Sequence, residues 1–140
     1  ISSEEQKDGM DGIIICMDKK TNEITYAAAN NEPILVSNNQ VIELQKDKMP
    51  VGKGEKFESF SLKSINASKG DVLYLYTDGY ADQFGGPKGK KFKYKQLNEL
   101  LIAIHEKPLP EQLEILENSF MKWKGDAEQV DDVCVIAIRV

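Results

Sequence analysis

The sequence predicts an α+β (α/β) fold, in which antiparallel strands are followed by two helices and a last strand that returns to the sheet. Short apolar runs separated by polar turns fill the chain up to Thr77. After Gly86 the apolar residues recur at helical spacing instead. The chain closes with an apolar run at 133–138. At 140 residues, it has the size of one domain.

Four of the predicted strands pair into two hairpins, at 13–17, 23–28, 34–37 and 40–44. The first hairpin turns through the polar residues 18–22. The second turns through Asn38 and Asn39, because asparagine tolerates positive φ. Alternation predicts a half-exposed strand from Phe57 to Ile65, and continuous apolar character predicts a central strand at 71–77, buried on both faces.

Two helices are predicted between Gly86 and the closing strand. Periodic leucines mark the first, around 97–104. Pro110 suits the start of the second helix, and Gly125 stops it. We expect one face of this helix to carry Leu113, Leu116, Phe120 and Trp123. The closing strand, 132–140, is expected beside the 72–76 strand at the centre of the sheet.

Charge and apolar patterning exclude several functions. A formal net charge of -5 argues against nonspecific nucleic-acid binding and favours a cationic ligand, a metal ion or a protein partner. The longest apolar runs are far shorter than the roughly 20 residues that cross a bilayer, so we expect no direct membrane insertion. We find no secretory signal, and a start at Ile1 rather than Met suggests a piece of a longer protein.

The cysteines and the histidine predict no soft-metal chemistry. Cys16 and Cys134 lie in separate apolar runs and are expected to be buried small hydrophobes in a reducing compartment. The single His105 offers no zinc cluster, and it suits a helix C-terminus.

Carboxylates stand at the ends of two predicted strands. Asp78 and Gly79 directly follow the 72–76 strand, and Asp131 and Asp132 directly precede the closing strand. If these strands are antiparallel neighbours, Asp78 faces Asp131. Clustered carboxylates repel unless a cation neutralises them, and an all-oxygen pair suits Mg²⁺ or Mn²⁺. Gly79 allows a sharp turn and a close approach of the backbone to a ligand. The predicted metal site comprises all four residues, and ordinary turn aspartates are the alternative.

A lysine-rich segment follows Gly86. Its lysines could contact a substrate phosphate or an acidic partner, and the alternative is a solvated flexible loop; they are Lys88, Lys90, Lys91, Lys93 and Lys95. The glycines at 85–89 do not link a strand to a helix as a phosphate-binding loop does, which argues against nucleotide binding.

Taken together, five segments closely resemble the SpoIIE-like branch of the metal-dependent (PPM, protein phosphatase 2C-like) serine/threonine phosphatases. They lie at 8–11, 26–33, 48–52, 70–79 and 129–132. The segment 82–86 resembles the variety found at the C-terminus of bacterial sensor proteins. The resemblance implies a sandwich of two mostly antiparallel sheets flanked by helices. It also implies two Mn²⁺ or Mg²⁺ ions at one end of the sandwich.

The resemblance also implies roles for single residues. Asp78 matches the family's Thr-Asp-Gly metal ligand and Asp131 matches its late aspartate ligand, while relatives have Asp or Asn at the position of Asp132. Asn30 and Asn31 correspond to a loop that lines the catalytic mouth in relatives; an ordinary turn before a proline is the alternative. The implied reaction is hydrolysis of phosphoserine or phosphothreonine on a regulatory protein by a metal-activated water, without a covalent intermediate.

The chain departs from the family pattern at its start. Relatives carry a Gly-Asp-aromatic motif and a second aspartate before the segment at 8–11, and residues 1–7 resemble neither. We therefore expect residues 1–140 to be the C-terminal portion of one cytoplasmic domain, inactive alone and able to dimerise through uncovered apolar surface. The alternative is a noncatalytic PPM-like interaction domain that binds a regulator. Retention of both Asp78 and Asp131 favours the enzyme.

Overall fold

Strands occupy the first half of the chain and a helix pair follows in the second. The computed structural model describes residues 8–52 and 58–140. Within these ranges the strands are β1 (Gly9–Met10), β2 (Gly12–Met17), β3 (Glu23–Ala29), β4 (Ile34–Ser37), β5 (Gln40–Glu43), β6 (Val51–Gly52), β7 (Lys63–Asn66), β8 (Val72–Tyr76), β9 (Phe84–Gly85), β10 (Lys90–Lys91) and β11 (Val135–Arg139). The helices are α1 (Tyr94–Ile104) and α2 (Leu109–Lys124).

Two antiparallel sheets face each other across an apolar layer. One has the strand order β11-β8-β4-β5 and the other β2-β3-β7. Alternate side chains of β3, β4 and β8 fill the space between them, including Ile24, Leu35 and Leu73. The opposite face of the four-stranded sheet packs against both helices through residues such as Tyr74 and Leu101. The predicted α+β sandwich is confirmed.

Both predicted hairpins form, and their turns lie at the predicted polar residues. Asn22 has φ 58° in the turn between β2 and β3, whose first and last residues are joined by a hydrogen bond from the Asp18 N–H to the Glu23 carbonyl. Asn38 and Asn39, at φ 51° and 59°, form the two-residue turn between β4 and β5. Both central residues of such a turn need positive φ, which asparagine adopts at small cost.

The strand predicted at 57–65 is wrong over most of its length. It begins only at Lys63, and Phe57 lies outside the described residues. The Ser61 N–H donates to the carboxylate of Asp47 at 2.9 Å, so it does not join a β-ladder. Leu62 is 79% exposed. The alternating pattern therefore predicted too long a strand, because the Asp47 side chain binds the backbone N–H of Ser61.

Both helices start and end close to their predicted bounds, but one predicted core position is wrong. Pro110 lies in the first turn of α2, and Gly125, at φ 52°, ends the helix. Leu113 is 57% exposed, whereas the neighbouring Gln112 is buried. Gln112 accepts a hydrogen bond from the Tyr74 hydroxyl at 2.6 Å and donates to two carbonyls in the interhelical turn. This polar side chain can occupy the core because its amide oxygen and its amide nitrogen both have hydrogen-bond partners.

The closing strand pairs as predicted but lies elsewhere in the sheet. β11 runs antiparallel to β8, from Val135 opposite Tyr76 to Arg139 opposite Val72. Within the described residues it is an edge strand, and Ile136 is 49% exposed, so the predicted central position is wrong. An apolar composition shows that a strand suits a buried position, but burial also requires a neighbouring element that covers the strand.

The two cysteines are also exposed, contrary to prediction. Cys16 lies on the same outward face of β2 as Ile14, which is 79% exposed. Cys134 precedes the edge strand β11. His105 is buried at the end of α1, with Nδ1 2.6 Å from the Ile102 carbonyl. Neither described helix has the length and apolar character needed to cross a membrane.

Candidate metal site and adjacent cleft

Thr77 joins the two chain segments that carry the predicted metal ligands. Its N–H donates to the Cys134 carbonyl at 3.1 Å, and its hydroxyl oxygen accepts the Cys134 N–H at 3.1 Å. The hydroxyl also donates to the Asp132 carbonyl at 3.4 Å. These bonds continue the β8–β11 pairing beyond the ends of the strands. Asp78 is thereby brought beside Asp131.

Gly79 lets the two segments approach closely. A Cβ at this position would overlap the carbonyl oxygen of Asp132 and press on the side chain of Val133. The sequence predicted a close backbone approach at Gly79, with a ligand as the approaching group. In the structure the approaching group is instead the Asp132 backbone. A glycine is therefore required at position 79, because the turn that carries Asp131 lies directly against it.

Asp78 and Asp131 interact unfavourably when both are ionised. The pKa of Asp78 is raised, first by burial, then by a hydrogen bond with the Asp131 carboxyl group and by repulsion from Asp131 and Asp82. One carboxylate oxygen of Asp131 accepts the Asp132 N–H at 2.8 Å. The expected juxtaposition of the two carboxyl groups is therefore confirmed, and it adds to the effect of burial on the pKa of Asp78.

The paired carboxylates fit part of a hard-cation site. Two closely spaced carboxylates present the oxygen donors that Mg²⁺ and Mn²⁺ bind, and a shared cation would relieve their repulsion. Within residues 8–52 and 58–140, no three His, Cys, Asp or Glu side chains come together to hold a metal. Asp132 is exposed and contributes backbone contacts to the site. The roles of all four residues as metal ligands stay predictions.

Replacing Asp131 with Asn should stabilise the metal-free chain. The pKa of Asp78 is raised above its ordinary value of 3.8, so the contribution of this pair is most favourable below that value and is lost as the pH rises through the raised pKa. We expect Asp131→Asn to be more stable than wild type by about 0.5 kcal/mol at pH 7.5, after allowing for solvent screening, and by less at pH 4.5. Thermal melts in EDTA measure this difference, with Asp126→Asn as the control. Equal melting temperatures at both pH values would contradict it.

A cleft of about 420 Å³ opens beside Asp78. The Asn31 side chain donates to the Tyr76 carbonyl at 3.3 Å, and the Asn30 side chain donates to Asp11 at 3.1 Å. Both asparagines line the cleft, as do Asp11 and Asp78. The structure thus brings the predicted asparagines and Asp78 to one cavity, while contact with a substrate stays a prediction.

Sequence reasoning missed several residues of this cleft. Tyr76 and Tyr94 have ring centroids 5.8 Å apart, and burial and the charges of Asp78 and Asp82 raise the pKa of Tyr94. Asn98 also lines the cleft, and its side-chain oxygen is buried without a hydrogen-bond partner among the described residues. Tyr94 and Asn98 share one turn of α1, a spacing visible in the sequence. Only the orientation of the helix directs that turn towards Asp78.

The predicted lysines lie outside the cleft, on a hairpin and at the start of α1. Lys90 and Lys91 form β10, which pairs with β9, and Lys88 is in the connecting turn. The segment is exposed to solvent, and both the contact of its lysines with a phosphate or acidic partner and the alternative of a flexible loop stay predictions. The Lys91 ammonium is 3.4 Å from the Asp82 carboxylate. The Asp82 N–H in turn donates to the Asp78 carbonyl at 2.9 Å, so the hairpin adjoins the carboxylate pair.

Comparisons with known proteins identify the family and the fold of this chain. The family described as Stage II sporulation protein E (SpoIIE) matches residues 3–140. Among curated proteins, none matches the sequence significantly. The SiaA-PP2C domain of Pseudomonas aeruginosa is 25% identical with a TM-score of 0.86, over 93% of this chain and 51% of that chain. The present chain thus spans about half the length of that structure.

Two further solved structures share the fold. The phosphatase domain of the cell fate determinant SpoIIE from Bacillus subtilis (Mn presoaked) is 15% identical with a TM-score of 0.68, over 93% of this chain and 56% of that chain. The RsbU and RsbW domains of Rv1364c from Mycobacterium tuberculosis are 20% identical with a TM-score of 0.72, over 92% of this chain and 35% of that chain.

Proposed function

Because this chain belongs to the SpoIIE family, we propose that it forms the C-terminal portion of a metal-dependent serine/threonine phosphatase domain. Family membership supports phosphatase chemistry in general. We further propose that the substrate is a phosphorylated regulatory protein and that the domain acts in the cytoplasm, as the output of a larger sensor protein.

One observation carries the proposal: Asp78 and Asp131 meet at the ends of β8 and β11 and are held there by the hydrogen bonds of Thr77. The arrangement destabilises the ionised pair, as the raised pKa of Asp78 indicates. Such repulsion is useful to a site that binds a cation. When bound, Mn²⁺ or Mg²⁺ would lower the pKa of a water molecule and neutralise charge on the phosphoryl oxygens.

The cleft would position the phosphorylated side chain beside this pair. Its rim includes the amide groups of Asn30 and Asn31 and the hydroxyl group of Tyr94, which can donate hydrogen bonds to phosphate oxygens. Glu32 and Lys46, 3.5 Å apart, form an ion pair on the same rim. A cleft of about 420 Å³ accommodates a phosphoserine side chain together with part of its peptide.

We propose that further ligands, and cover for the outer sheet face, come from a segment that precedes Asp8 in the complete domain. Ile14 on β2 and Leu62 before β7 are exposed apolar side chains of the kind that associate with such a segment or with a second copy. The second candidate function is a noncatalytic interaction domain. It is favoured by the lack of any three-residue metal-binding group within the described ranges.

The 140-residue chain alone should bind Mn²⁺ only in about the millimolar range, because two carboxylates leave most of the coordination shell to water. Its hydrolysis of an aryl phosphate should remain near background. Titration calorimetry and a Mn²⁺-dependent assay test both statements. A micromolar affinity that is lost in Asp78→Asn, or turnover abolished by Asp131→Ala, would show instead that the site is complete without further residues.

A further inference from the structure

The chain concentrates positive charge on one surface, although its net charge is -5. We call this surface the lysine platform. It consists of the β9–β10 hairpin and the adjoining end of α2, and its cations are Lys88, Lys90, Lys91, Lys122 and Lys124. A groove of about 440 Å³ separates the hairpin from the end of α2. Charge clustered in this way attracts partners of the opposite sign.

The platform is rigidly attached to the domain. The Gly86 N–H donates to the Trp123 carbonyl at 2.8 Å, and the Trp123 indole N–H donates to the Gln83 carbonyl at 2.9 Å. A Cβ at Gly85 would overlap the Trp123 carbonyl oxygen, so the hairpin backbone lies directly on α2. Phe92 is buried and meets the Trp123 ring edge-on. Cations on an ordered backbone lose less conformational entropy when they bind a partner.

Ion pairs compensate only part of this charge among the described residues. Among the described residues Lys91 is the platform lysine with an ion-pair partner, which is Asp82. Asp126 is the acidic residue that lines the groove beside Lys122 and Lys124.

An exposed aromatic ring lies within the basic surface. Phe84 is 45% exposed and lines the groove, with the Lys91 ammonium 5.7 Å from its ring centroid. A surface that combines an aromatic ring with surrounding lysines matches an acidic peptide that carries an apolar side chain.

The platform adjoins the carboxylate pair through Asp82, which contacts Lys91 with its side chain and the Asp78 carbonyl with its N–H. We propose that the lysine platform docks an acidic segment of the phosphoprotein substrate, separate from its phosphorylated residue. The identity of the docked protein as the substrate rests on the proposed function. The docking itself requires neither metal nor turnover.

Fluorescence anisotropy in EDTA tests the docking. The probe is a labelled twelve-residue peptide of Glu and Ser with one central Leu and no phosphate. The double variant Lys88→Glu/Lys90→Glu should weaken binding by about tenfold or more, and so should raising the salt concentration from 50 to 300 mM. The matched control is Lys19→Glu/Lys20→Glu, which reverses two exposed lysines in the β2–β3 turn and should change the affinity less than about twofold.

Two further arms make the test specific. Phe84→Ser should weaken binding of the Leu-containing peptide and leave binding of an all-Glu/Ser peptide unchanged. Circular dichroism checks that the variants fold. Equal losses in the two charge-reversal pairs, or binding to phosphatidylserine vesicles in place of the peptide, would overturn the proposal. Peptide docking without Mn²⁺-dependent hydrolysis in the complete domain would support the platform and refute the proposed function alone.

Discussion

Replacing Asp78 with Asn in the complete domain that contains this chain is expected to lower Mn²⁺-dependent hydrolysis of a phosphoserine peptide by about 10²–10³-fold. This loss is typical when a group that stabilises transition-state charge is removed. The carboxylate adjoins Asp131 at the end of β8 and would hold a cation there, whereas a neutral amide neither attracts nor neutralises that ion. Steady-state kinetics at several Mn²⁺ concentrations measure the effect.

The matched control for this variant is Glu117→Gln, which removes an exposed carboxylate from α2, away from the cleft. It should retain wild-type activity. If Asp78→Asn kept more than about a tenth of the activity at saturating Mn²⁺, Asp78 would not be a ligand of the catalytic ion. The noncatalytic alternative predicts no hydrolysis in any variant and unchanged binding of the regulator.

Replacing Gly79 with Ala should have the largest effect on stability. The new methyl group would overlap the Asp132 carbonyl oxygen, so the segment that carries Asp131 must move away from Thr77. Overpacking of this kind costs about 1–3 kcal/mol, and we expect a value near the upper end because the clash is with backbone. The melting temperature should fall by about 8 °C.

Gly12→Ala provides the comparison for this glycine. The nearest atom to a Cβ at Gly12 is the flexible tip of Met10, 4.0 Å away, so this substitution should be tolerated. In Gly79→Ala the two carboxyl groups should also separate, which would lower the pKa of Asp78 towards its ordinary value. Nuclear magnetic resonance titration of the Asp78 carboxyl carbon can detect that change. If Gly79→Ala and the wild-type protein had the same melting temperature, the close approach would not be required.

Local chemistry explains why much of the fold was predictable. The Asn38-Asn39 turn needs only the backbone tolerance of asparagine, and the α2 bounds follow from Pro110 and Gly125. The pairing of β8 with β11 was predictable because these are the two most continuously apolar runs in the second half of the chain. That pairing then brings Asp78 beside Asp131, so the centre of the site was predictable as well.

The remaining features depend on contacts that no local pattern encodes. Gln112 replaces Leu113 in the core because Tyr74 and two carbonyls satisfy its amide group. Tyr94 and Asn98 reach the cleft only through the orientation of α1. The lysine hairpin is ordered because its glycines fit against Trp123, which lies far away in the sequence. Exposure of Cys16 likewise depends on what covers β2 rather than on its apolar neighbours.

The central claim is that Asp78 and Asp131 share one cation. Anomalous diffraction at the manganese edge from crystals of the complete domain, soaked in Mn²⁺, tests it most directly. We predict an ion with carboxylate oxygens of both residues at about 2.1–2.2 Å. The same crystals of Asp131→Asn should lose that peak. Manganese bound elsewhere, with both carboxylates free of it, would contradict the account.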